Sequence, residues 1–279
     1  MSRTSRTPGP GASPFAGRTI AITGGARGIG AATARLLQER GADVIIGDRD
    51  AAHLEETARE LGVRWHPLDV TSVEDWTAFV AAAGEIDVLV NNAGIMPVGP
   101  FLDEDAGVTR QIFEVNTFGV INGTRAVAPG MVARGRGHVV NIASAVGRVA
   151  LPNGASYSAS KHAVVGFTEA MRAELGPSGV EVSMVLPVIV NTALGAGVAR
   201  TRGVPTLDPE QVAAVVVDVI RRPVPEAWAP RWGQPVTKVS QALPRRFQEV
   251  ARRLMGADDV LTHADAGVRA AYESEARRT

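Results

Sequence analysis

The chain has 279 residues, 45% of them apolar and 21% charged, enough to bury the core of one large α/β domain or two small ones. Lys plus Arg and Asp plus Glu number 29 each, so no global electrostatic case exists for a nucleic-acid partner. Cysteine is absent, which excludes disulfides, thiolate metal sites and cysteine catalysis, and the five histidines (53, 66, 138, 162 and 263) lack metal-ligand spacing.

Residues 1–16 are rich in Ser, Arg, Gly and Pro and lack the apolar core of a signal peptide, so they are expected to form a flexible tail. No apolar run reaches the roughly 18–20 residues of a membrane span, and a cytoplasmic location is the default expectation. Apolar, strand-like runs then follow at Thr19–Thr23, Val44–Gly47, Val63–Pro67, Val88–Asn91, His138–Ile142 and Val180–Leu186. Helical segments lie between them at Ile29–Arg40, Ala51–Leu61, Val73–Ala83, Gln111–Ala133 and Ala155–Leu175. Such alternation predicts a doubly wound parallel sheet, α/β in class, with helices on both faces. After Leu186 the alternation stops. Asn191–Pro205 reads as a loop, and Asp208-Pro209 caps and starts a helix that runs to about Arg222.

Strand one ends in Thr23-Gly24-Gly25-Ala26-Arg27-Gly28-Ile29-Gly30, and a helix follows. Glycines at this turn let the backbone approach a pyrophosphate at the helix N-terminus, as in a Rossmann-like dinucleotide site. The second strand ends at Asp48, 18 residues after Gly30, near the spacing at which an acid meets the adenosine ribose. A carboxylate there favours NAD over NADP. Arg27 and Arg49 argue the other way, since either can contact a 2′-phosphate, but phosphate beside Asp48 is costly to bury.

Only two tyrosines and two lysines occur, and Tyr157 and Lys161 stand four residues apart. At that spacing a phenol and an ammonium share one helix face. The cation is expected to lower the tyrosine pKa from about 10 towards the working pH, as a proton-transferring tyrosine requires.

Taken together these residues resemble the short-chain dehydrogenase/reductase family, from about Arg18 to Leu194. Thr23–Gly30 looks like the family's glycine motif, Asp69 in Leu68-Asp69-Val70 like its adenine-pocket acid, and Asn91-Asn92-Ala93-Gly94 like its N-N-A-G motif. Asn116 is similar to its helix asparagine. Ser144, 13 residues before Tyr157, together with Tyr157 and Lys161, resembles its catalytic set. The family's P-G-x-V-x-T appears as Pro187-Val188-Ile189-Val190-Asn191-Thr192, with Val188 in place of glycine. The resemblance implies hydride transfer between a nicotinamide and an alcohol or ketone carbon. Tyr157 would be the general acid/base, Lys161 would hold the nicotinamide ribose, Ser144 would bond the substrate oxygen, and Asn116 would hold a relay water. Cofactor contacts are expected from Gly24, Arg27, Gly28, Ile29, Gly30, Asp48, Arg49, Asp69, Val70, Asn92, Ala93, Gly94, Pro187, Val190 and Thr192. A homotetramer or homodimer through the two long helices is also implied, with Phe113, Phe167 and Met171 as candidate contacts.

Residues 17–222 are thus expected to form the NAD(P)-binding catalytic domain and 223–279 a C-terminal helical extension. Ile95, Met96, Val98, Phe101, Val146, Val149, Leu151, Val188 and Leu194, with Arg148 as the main charge, are the candidate substrate lining and suit a lipophilic or aromatic secondary alcohol or ketone. Arg221–Gly256 carries eight basic and two acidic residues. Its stretch Pro244–Leu254 places Phe247, Val250, Ala251 and Leu254 on one face. Docking of that face on the body or a partner is preferred over contact with an anionic membrane surface. The residues from Ala257 onward, net −2, are expected to be loosely held.

Overall fold

The computed structural model describes residues 13–198, 205–244, 246–247, 249, 260–262 and 264–276. Seven strands alternate with helices: β1 (Thr19–Thr23), α1 (Gly28–Glu39), β2 (Asp43–Asp48), α2 (Ala51–Leu61), β3 (Arg64–Pro67), α3 (Val73–Ala83) and β4 (Val88–Asn91). There follow α4 (Ala106–Phe113), a π-helical turn at Glu114–Phe118, α5 (Gly119–Arg134), β5 (Gly137–Ile142), α6 (Ala155–Leu175) and β6 (Val180–Pro187). The described chain ends with α7 (Pro209–Arg221), β7 (Glu226–Ala229), α8 (Gly233–Ala242) and α9 (Ala266–Ala276). All pairings are parallel, in the order β3-β2-β1-β4-β5-β6-β7. The winding therefore reverses between β1 and β4, and a crevice opens beyond the carboxyl ends of those strands.

The central strands read as unbroken apolar runs because both faces are buried. Ile20, Ile22, Val44 and Ile46 pack with Leu37, Val216 and Ile220 of α1 and α7. Ala21, Ile45, Leu89 and Val139 point the other way, onto Trp76, Phe79 and Met131 of α3 and α5. Each of the Val, Leu, Ile, Phe and Met side chains contributes roughly 1.5–3 kcal/mol on burial. Gly123 on α5 belongs to this packing: a Cβ there would lie 2.7 Å from the Trp76 ring. A polar chain crosses the sheet: Asn91 Nδ2 donates to Asn141 Oδ1 (2.9 Å), and Asn141 Nδ2 donates to Thr168 Oγ1 (2.9 Å). It ties β4, β5 and α6 together, although Asn91 Oδ1 itself has no partner among the described residues.

At the opposite end of β5 sits His138, only 2% exposed. Its Nε2 shares a 2.8 Å hydrogen bond with Ser183 Oγ, while Nδ1 has no partner among the described residues. Burial, reinforced by the nearby Arg18 guanidinium, pushes its pKa down to about 4.

Four expectations change. The long helix expected at Gln111–Ala133 starts earlier, at Ala106, where Asp105 accepts from Gly107 N (2.7 Å), and it is interrupted by the π turn. A seventh strand, Glu226–Ala229, extends the sheet beside β6. Residues beyond Ala257 are not loose where they are described: Val260, Leu261 and Arg269 are buried. Within the expected tail, residues 13–16 form a turn and Phe15 packs in the core. Residues 1–12, the end of the loop expected at Asn191–Pro205, and most of the basic stretch Pro244–Leu254 lie outside the described residues. Of its apolar stripe Phe247 alone is described, and it is 51% exposed. No described helix is long and apolar enough to cross a membrane.

Candidate active site

The crevice holds one cavity of about 670 Å³ that runs from the glycine loop past Tyr157 to the C-terminal segment. At the glycine loop, space is kept clear by the residue types. A Cβ on Gly24 would lie 2.9 Å from Ala93 Cα, and one on Gly30 would lie 2.1 Å from the Gly24 carbonyl oxygen. Gly24 and Gly28 also have positive φ (64° and 57°), which glycine adopts without strain. Thr23 Oγ1 accepts from the backbone N–H of Asn92 and of Ala93 (3.0 Å each), and Asn92 Nδ2 donates to the carbonyls of Thr23 and Gly24. Ile29 stands at the start of α1, so the loop opens directly onto a helix N-terminus, the environment that takes a pyrophosphate.

Asp48 is held at the end of β2 by N–H groups from Ala26 (3.1 Å) and Asp50 (3.2 Å). Arg27 Nη2 donates to Asp50 Oδ2 at 2.9 Å, so its charge is matched within the loop. Arg49 is exposed at the cavity rim. Asp69 accepts from Thr71 N and Oγ1 (2.9 and 2.7 Å), which fixes the turn that carries Val70 to the cavity. A carboxylate at the end of β2, a glycine cradle and a free helix start together fit a dinucleotide. Gly24, Arg27, Gly28, Ile29, Asp48, Arg49, Asp69, Val70, Asn92, Ala93, Gly94, Pro187, Val190 and Thr192 all line the cavity. Gly30 does not; it serves the close packing of the loop.

Asn116 lies in the π turn and is fully buried. Its Oδ1 accepts from Ile95 N (2.8 Å), and its Nδ2 donates to Ile95 O (2.9 Å) and Ser160 Oγ (3.1 Å). It braces the loop after β4 against α6, and it makes no hydrogen bond with Lys161.

Tyr157 and Lys161 sit on the first turns of α6, beside the end of β5 where Ser144 stands. Lys161 Nζ donates to the Ile142 carbonyl (2.9 Å) and lies 6.0 Å from the Tyr157 ring centroid. Burial pushes the Tyr157 phenol up to about 12, and a hydrogen bond from Ser144 works against that rise. Burial also pulls Lys161 down to about 8. The lowered tyrosine pKa expected from the pair is therefore not found. Around the Tyr157 phenol, desolvation by burial is the larger influence.

Six of the candidate substrate residues line the cavity: Ile95, Met96, Val146, Leu151, Val188 and Leu194. Val98, Phe101 and Val149 do not, and Phe101 is 61% exposed. Arg148 is turned away as well: it donates to Glu169 and Glu226 at 2.6 Å each, holding α6 to β7. Sequence reasoning missed the opposite wall. Val260, Leu261 and Tyr272 face the cavity, and the Tyr272 hydroxyl accepts from Met96 N at 2.7 Å. Arg269, one turn earlier on α9, donates to the carbonyls of Met96 (2.6 Å), Ala196 (3.0 Å) and Leu194 (3.3 Å) and pairs with Glu273 at 3.1 Å. The available signal was Asp265 as a helix start followed by the second of only two tyrosines.

Comparison with known proteins agrees with this geometry. The "Dehydrogenase/reductase SDR family member 7B" of Rattus norvegicus is 36% identical over 199 residues, 66% of this chain and 61% of that protein. The chain thus spans less than two thirds of that relative's length. A "3-alpha-(or 20-beta)-hydroxysteroid dehydrogenase" of Mycobacterium bovis is 39% identical over 184 residues, covering 64% of this chain and 71% of its own. Among solved structures, a "3-ketoacyl-(acyl-carrier-protein) reductase from Brucella melitensis complexed with NADH" superposes with TM-score 0.69 at 29% identity, over 75% of this chain and 92% of that one. A family model described as short chain dehydrogenase matches residues 18–203, and the chain belongs to that family.

Proposed function

We propose that the protein is an NAD-dependent oxidoreductase acting on a lipophilic or aromatic secondary alcohol or its ketone. The observation that carries this reading is the buried Tyr157, hydrogen-bonded to Ser144, between a glycine cradle and an apolar wall. The bound nicotinamide supplies the hydride acceptor or donor. Tyr157 gives its phenolic proton to the carbonyl oxygen in reduction and takes it from the hydroxyl in oxidation. A phenol held at about 12 is protonated near neutral pH and thus ready to donate. Ser144 hydrogen-bonds the same oxygen as charge develops on it. Lys161, whose pKa burial lowers, would hand Tyr157 a proton or hold a ribose hydroxyl. Ile95, Val146, Val188 and Leu194 keep water from the reacting carbon.

Asp48, with Arg27 already matched by Asp50, supports NAD. Arg49 at the rim supports the second reading, an NADPH-dependent carbonyl or 3-oxoacyl reductase, and the ketoacyl reductase among the structural relatives suits its substrate. A non-catalytic dinucleotide-sensing regulator would need none of Ser144, Tyr157 and Lys161. We also infer a homo-oligomer through α5 and α6; Phe118 in the π turn and Val132 on α5 are exposed, although Phe167 and Met171 on α6 lie partly against the protein's own core. Sedimentation equilibrium at micromolar concentration giving only the 29.2 kDa species would oppose this. The test of function is a rate screen of NAD and NADP against lipophilic alcohols and ketones. No turnover of any of them would overturn the enzyme reading.

A further inference from the structure

Among the described residues, and apart from the Ser144–Tyr157 pair, the substrate end of the cavity offers one side-chain polar group, the hydroxyl of Tyr272. Around it stand Met96, Leu151, Leu194, Val260 and Leu261, all apolar. A phenolic oxygen has two acceptor positions and one proton to donate. Met96 N–H occupies one acceptor position at 2.7 Å, and among the described residues nothing accepts the proton.

The ring that carries this hydroxyl is fixed. The Arg269 guanidinium lies 5.4 Å from its centroid, is 2% exposed, and fastens α9 to both loops that wall the cavity, after β4 and after β6. Leu261 packs so closely on Gly154 that a Cβ there would lie 2.5 Å from Leu261 Cδ1. The Tyr157 phenol is close enough that its ionisation would raise the Tyr272 pKa beyond what burial already does. Two phenols thus face one apolar space, and only one of them has a role in the proposed hydride chemistry. A rigidly held donor in an otherwise apolar wall rewards a ligand that brings an acceptor to it and leaves other ligands unrewarded.

Resting on the function proposed above, we propose that Tyr272 is a substrate-positioning residue that donates its hydroxyl proton to a second oxygen of the substrate. The substrate class is then a lipophilic molecule with two oxygens, a diketone or hydroxyketone. One oxygen is held by Tyr157 and Ser144 and the other, across the apolar body, by Tyr272.

The test compares ligands that differ only in the second oxygen. Kd values are measured on the NADH-loaded protein for trans-1-decalone and for decalin diketones whose second carbonyl varies in position, with wild type and Tyr272→Phe. At least one diketone should bind wild type about tenfold more tightly than the monoketone, as one well-placed hydrogen bond allows, and Tyr272→Phe should erase that ratio. Tyr272→Phe keeps the ring and loses only the hydroxyl. A general loosening of the pocket would weaken all ligands alike and leave the ratio intact. An unchanged ratio, or no diketone preference in wild type, overturns the proposal. Turnover is scored separately, so binding discrimination without catalysis would count against the enzyme reading and not against this one.

Discussion

Acid should unfold this protein partly through one histidine. His138 is held neutral in the fold, with a pKa of about 4 against 6.5 for the free side chain. As pH falls below 6.5 the unfolded chain takes up this proton first. The stability is fully present above pH 6.5 and is lost progressively down to pH 4. At about 1.4 kcal/mol per pH unit, the gap corresponds to about 3 kcal/mol, a large share of a typical domain's stability. The Arg18 guanidinium pushes in the same direction as burial. His138→Gln keeps a polar partner for Ser183 but cannot titrate. Urea unfolding followed by circular dichroism, repeated from pH 7.5 to pH 4, should show the wild type losing about 2–3 kcal/mol more than the variant over that range. All other groups are common to the two proteins and cancel in the difference. Parallel pH profiles for the two would refute the assignment of a buried neutral imidazole.

Asp48→Ala should raise kcat/KM for NADPH relative to NADH by at least tenfold, about 1.4 kcal/mol, by removing a carboxylate from beside the 2′ position; a wild-type preference for NADPH would show that Arg49 outweighs the acid. Tyr157→Phe should lower kcat by several orders of magnitude while fluorescence titration shows NADH still bound, whereas Lys161→Ala should weaken both. Near-normal turnover by Tyr157→Phe would remove the tyrosine from the chemistry. Arg269→Gln should lower Tm by several degrees, because it breaks a buried ion pair and leaves carbonyls unpaired. The same variant should raise KM for lipophilic ketones more than for NADH, and an equal rise in both would mean that α9 does not act at the substrate end.

The parts that could be read from the sequence are those with a local signature. β1, β2, β4, β5 and β6 are apolar on both faces, so short unbroken runs marked them. Asp48 and the glycines stand at fixed offsets from those runs, and Tyr157 and Lys161 stand one helical turn apart. β7 escaped because Glu226-Ala-Trp-Ala is short, carries a charge, and lies between Pro225 and Pro230. Arg148 was misread because its two partners, Glu169 and Glu226, come from distant segments. Tyr272 and Met96 are 176 residues apart, and no periodicity links them. The tyrosine's pKa was misjudged for a related reason: spacing predicts which groups are neighbours but not how dry their surroundings are.

The π turn at Glu114–Phe118 has a consequence for where the chain tolerates length changes. Gly119 N bonds back to Glu114 O, five residues away, so the turn holds one residue more than a regular helix. Relative to an unbroken helix, everything after it is rotated by about 100°. Deleting a single residue from this turn would yield a better helix. It would also swing either Asn116 away from Ile95 and Ser160 or Gly123 and Val127 away from α3. A shortening that improves local geometry would thus disconnect the crevice from the core that holds it in place.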